Sequence, residues 1–144
     1  MNNMSIWQTQ QIILNRLLLW SRFSVIGGLG LLRGNAFWRG VGWQAIGWGL
    51  VDAAIAIWGG RAMRRRYAAL PNPEVPAVQA QESRNLRHLL WLNAGLDVLY
   101  IVGGLILQRR RNWRGHGWGI IIQGSFLFLF DLYHAVILAE EREV

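Results

Sequence analysis

Residues 86–107 read LRHLLWLNAGLDVLYIVGGLIL. Coiled into a helix, this run is about 33 Å long, enough to cross a hydrocarbon core of roughly 30 Å. Asn93, Asp97 and Tyr100 sit in its middle, spaced i, i+4, i+7, and so share one helix face. A carboxylate at that depth costs free energy unless it meets a partner, water or a proton, so Asp97 marks a functional site by default. Three further apolar runs, near residues 5–32, 41–58 and 118–140, read as the helices that surround this one.

The composition agrees with lipid as the solvent. The chain has 144 residues, 53% of them hydrophobic, with 9 Trp and 17 Gly, and only 16% are charged, well below the roughly one quarter of soluble domains. The net charge is +7 and every basic residue is Arg. The arginines stand in blocks between apolar runs, as loop charges of membrane spans do, and divide between both faces, which disfavours nucleic acid. There is no Cys, so thiolate catalysis, disulfides and zinc–thiolate sites are excluded. The start, MNNMSIWQTQQ, lacks the basic region and cleavage site of a signal peptide, so the first span is expected to remain in the mature chain. Ser5 and Gln8 have the spacing of a capping box that would open it. The three prolines, at 71, 73 and 76, read as an extended linker.

The chain repeats itself. WRGVGW at 38–43 matches WRGHGW at 113–118, an offset of 75, and Gln44 and Asp52 recur as Gln123 and Asp131 at an offset of 79. The two offsets differ by about one helical turn, so facing is preserved. An offset of 75 also sets Arg22 against Asp97. The expected fold is all-α: an integral membrane four-helix bundle of two pseudo-repeated hairpins, at 5–60 and 86–140, in one transmembrane domain with a linker at 61–85. Such parallel repeats are related by an axis near the membrane normal. The strings LNAGLDVLYIVGG and NWRGHGWGIIIQGSFLFLFDLYHA resemble an uncharacterised family of small bacterial four-helix membrane proteins. That resemblance implies the four-span architecture and no established activity, substrate or cofactor.

The expected polar core comprises Arg22, Gln44, Asp52, Asn93, Asp97, Tyr100, Gln123, Asp131 and His134, with Arg22 paired to Asp97. One cation cannot neutralise three carboxylates, so at least one carboxyl is expected to hold a proton at neutral pH. Three readings of this core stay open: structural clamps between helices, a proton or ion path, and a ligand site. Trp38, Arg39, Trp43, Trp113, Arg114 and Trp118 read as an interfacial aromatic belt, or as a lipid-headgroup or anion site over helix N-termini. No cofactor or metal is expected; the alternative is haem or a pigment between His88 and His134.

Enzyme motifs are missing: no GxSxG, no HExxH, no P-loop. The expectation is therefore a non-enzymatic membrane protein, a binding or accessory subunit in a homo-oligomer or larger membrane complex. The alternative is proton- or ion-coupled transport of a small solute. Its expected place is the bacterial inner membrane with cytoplasmic termini, on an Arg balance of seven against six.

Overall fold

The computed structural model describes residues 4–140, all of it helix and connection. Four helices follow in order: α1 (Ile6–Leu31), α2 (Ala36–Ala69), α3 (Pro76–Leu107) and α4 (Arg114–Glu140), with a short 3-10 turn at Arg111–Trp113 before α4. All four are long and apolar enough to cross a membrane. Leu19, Phe23, Ile26, Leu50, Leu92, Leu99 and Leu129 are among the many large apolar side chains facing outward. In water such a surface would aggregate; in hydrocarbon it is the expected exterior.

Each helix begins where the local chemistry allows. Ser5 caps α1 in a reciprocal box, its Oγ accepting from the Gln8 amide while Gln8 Oε1 accepts from the Ser5 N–H. Asn35 caps α2 by accepting from the Trp38 N–H. Pro76 opens α3 at its first turn, where a missing N–H costs nothing. The connection between hairpins is therefore residues 70–75 rather than the extended stretch over 61–85 that three prolines suggest. Gly59 and Gly60 do not stop α2, because α1 packs there, with Leu14 beside both positions. The helix runs on through RAMRRRYAA, rich in good helix formers. This extension is held by an Arg66–Glu82 ion pair at 3.4 Å between α2 and α3. The N-terminus buttresses it: Trp7 Nε1–H donates to Pro73 O at 3.1 Å, the Ile6 N–H donates to Gln79 Oε1 at 3.2 Å, and Trp7 meets Tyr67 edge to face.

The hairpins α1/α2 and α3/α4 pack as near copies. A Cβ added at Gly28 would lie 2.7 Å from Gly42 O, and one added at Gly104 would lie 2.8 Å from Gly117 O. In both cases the next neighbour is an isoleucine, Ile46 or Ile121. Backbones this close need the missing side chain. These contacts fix the repeat in three dimensions. Positions on α1 recur on α3 at an offset of 76, and positions on α2 recur on α4 at 75. The hairpins meet where α2 crosses α4: a Cβ at Gly40 would lie 2.8 Å from the His116 amide nitrogen, and one at Gly115 would overlap the Phe37 backbone. The glycines of the repeated WRGxGW strings thus join the helices, while their Trp and Arg side chains are exposed.

A buried apolar cluster of Ile6, Trp7, Ile13, Met63, Leu86, Leu90, Ala135 and Leu138 fills the end near the termini. The polar residues lie between this cluster and the glycine crossing.

Candidate functional site

Asp52, Asp97, Gln123, Asp131 and His134 are all buried, on the inner faces of α2, α3 and α4. The i, i+4 and i, i+3 spacings that put them on those faces are the ones visible in the sequence. Asp52, Asp97 and Asp131 line one cavity of about 190 Å³. Leu17 of α1 and Leu127 of α4 form its apolar floor, and Trp48, Asn93 and Tyr100 share its wall. The Trp48 and Tyr100 rings meet edge to face, centroids 4.8 Å apart.

Among the described residues, no hydrogen bond or ion pair reaches these carboxyls. Asp52 is 2% exposed and Asp97 4%, and Oδ2 of each accepts no hydrogen bond. The Arg66–Glu82 bridge, far from this cavity along α2, is the one ion pair among the described residues. The expected Arg22–Asp97 pair does not form, because Arg22 is exposed on the outside of α1. On the first helix of each hairpin the repeat offset is 76, not 75, and one residue is about 100° of helix. The residue equivalent to Asp97 is Ser21, which is buried and donates its hydroxyl hydrogen to Leu18 O.

Arg16, itself exposed, does reach a buried polar residue. Its Nη1 donates to His134 Nε2 at 3.1 Å, and His134 Nδ1–H donates to Phe130 O at 2.7 Å. An arginine can only donate, so the ring carries its hydrogen on Nδ1 and both nitrogens are engaged. His88 is exposed on α3, whereas His134 is buried on α4. Gln123 joins a different set: Trp20 Nε1–H donates to its Oε1 at 3.2 Å, and Ser24 Oγ lies 3.4 Å from it. Gln44 reaches across the α2/α4 crossing to His116 Nδ1 at 3.1 Å. Ser21, Ser24 and His116 were not singled out by the sequence. Ser and a Gly-flanked His carry no charge signal, and only the 76-residue register would have pointed to Ser21.

Trp38, Trp43, Trp113 and Trp118 are exposed, as are Arg39 and Arg114. No group of three or more His, Asp or Glu with the geometry of a metal site occurs among the described residues.

Residues 16–132 match a sequence-family model described as Family of unknown function (DUF6992). No curated protein and no solved structure matches the chain.

Proposed function

For a chain that belongs to DUF6992, a family without an assigned activity, we propose a non-enzymatic binding role: a small membrane bundle whose acidic cavity receives a positively charged group from outside the chain. One observation carries this reading. Three buried carboxyls from three helices line one cavity, and none has an ion-pair or hydrogen-bond partner among the described residues. Burying a carboxyl without compensation costs several kcal/mol, roughly, whereas one paired with a cation is compensated. Arg16 places its Nη1 on His134 and forms no ion pair with these carboxyls among the described residues.

The setting we propose is an accessory subunit of a membrane assembly. A second reading, proton-coupled movement of a small solute, draws on Asp131 standing one helical turn from the Arg16–His134 contact. The first reading requires the cavity to bind a cation. Equilibrium dialysis of radiolabelled tetramethylammonium against the protein in nanodiscs tests that requirement. Saturable binding is expected in the wild type and lost in Asp52→Asn/Asp97→Asn; absence of saturable binding in the wild type removes the reading. Uptake driven by a pH gradient in proteoliposomes separates transport from static binding.

A further inference from the structure

The pseudo-twofold relation makes the α1/α4 seam and the α2/α3 seam equivalent, yet they are closed differently. On the α1/α4 seam Trp20 stacks on Phe126, ring centroids 3.5 Å apart and planes 11° from parallel. With offsets of 76 and 75, the matching positions on the other seam are Leu96 and Val51. Both line the acidic cavity and both are exposed. Ile55 and Tyr100, also exposed cavity residues, complete the rim on α2 and α3. Two stacked rings fill this place on one seam; at the same place on the other, smaller side chains leave an opening towards the surrounding apolar phase. The neighbouring pair is altered too. Where Ser24 and Gln123 hydrogen-bond on one seam, Tyr100 and Trp48 present aromatic rings on the other.

Resting on the cation-binding reading above, we propose that the cavity takes an organic ammonium ion with an apolar tail, entering sideways from the bilayer between α2 and α3. Each part of the site matches one part of such a molecule. The carboxyls of Asp52, Asp97 and Asp131, all lining the cavity, supply the counter-charge. Trp48 and Tyr100 supply aromatic rings on the cavity wall, the residue type that attracts alkylammonium groups. The mouth of Val51, Ile55 and Leu96 suits a hydrocarbon chain left outside. A cavity of about 190 Å³ is far larger than a bare metal cation fills, since a single water occupies only about 30 Å³.

The test compares octyltrimethylammonium with tetramethylammonium by equilibrium dialysis on protein in nanodiscs, after subtraction of empty discs. The tailed probe is expected to bind about tenfold more tightly, and octanol is expected not to displace it. The double substitution Leu96→Trp/Val51→Phe rebuilds on this seam the stack that closes the other one. It is expected to weaken octyltrimethylammonium binding about tenfold with the thermal midpoint retained. Should that variant misfold, the tail comparison and the octanol competition in the wild type still decide. If the tail adds nothing, if octanol competes, or if a folded closed-mouth variant binds the probe as the wild type does, lateral ammonium entry is refuted. Asp-dependent tetramethylammonium binding surviving those results would leave the cation-binding reading standing; its absence would take both down together.

Discussion

At the scale of single residues, the polar interior divides into groups that hold the bundle together and groups that do not. His134 belongs to the first kind: its two ring nitrogens are matched by Arg16 and by Phe130 O. Removing the guanidinium with Arg16→Leu strands a buried acceptor and should cost about 1–2 kcal/mol. Arg22→Leu, on the exposed side of the same helix, should stay within about 0.5 kcal/mol of wild type. Asp52 and Asp97 belong to the second kind. Asp52→Asn or Asp97→Asn keeps the shape and removes a carboxyl that has no partner among the described residues, so stability should be unchanged or higher. Reversible unfolding in mixed micelles reads all four, and a clear loss of stability in either Asp variant would reveal a partner for the carboxyl. Helical period made the facing of the three aspartates legible in the sequence. The cation was not legible, because the repeated string carries one offset and the helix before it another. A one-residue slip of that kind rotates a position from the core to the surface.

Helix elements were easier to read than their ends. Four long apolar runs with polar breaks leave little alternative to four helices, and a serine three residues before a glutamine marks where the first begins. The far ends of α2 and α3 were hidden because glycine pairs and prolines ordinarily punctuate. Here Gly59 and Gly60 sit against Leu14 of α1, and Pro76 occupies a first-turn position that tolerates it. Tertiary packing overrode local propensity, as the cluster joining Trp7, Met63 and Leu86 shows. The small-residue contacts inside each hairpin give a prediction at this scale. Gly28→Ala and Gly104→Ala each push a methyl group against a carbonyl oxygen of the facing helix and should destabilise by about 1–3 kcal/mol. Gly27→Ala and Gly103→Ala, whose added Cβ would meet nothing within 4 Å, should be neutral or mildly stabilising. Equal losses in the two substituted contact positions would show that the hairpins are energetic as well as geometric copies. A loss at Gly27 or Gly103 equal to that at its neighbour would contradict the packing.

For the whole molecule, the repeat also sets where a bilayer would sit. Trp43 and Trp118 are exposed at one level of α2 and α4, and Trp58 and Tyr133, 15 residues further along each helix, are exposed at another. Fifteen residues of helix rise about 22 Å, so the two aromatic levels bracket a slab of nearly hydrocarbon thickness once interfacial ring size is added. Asp52 lies six residues inside Trp58, and Asp97 six residues inside Trp91. Both carboxyls therefore stand about 9 Å within the slab, deep enough that solvation by bulk water is lost. Trp7 lies beyond that slab, since its indole donates to Pro73 O in the connection between hairpins. Single-tryptophan variants with brominated lipids measure this placement directly. Trp58 and Trp91 should be quenched most strongly by bromines near the headgroup end of the chains, and less by bromines at the bilayer centre. Trp7, buried against Tyr67 and the connection, should escape both. Strong quenching of Trp7, or none at Trp58 and Trp91, would place the aromatic levels outside any interface. The acidic cavity would then open to water, where an unpaired carboxylate carries no cost and needs no cation to explain it.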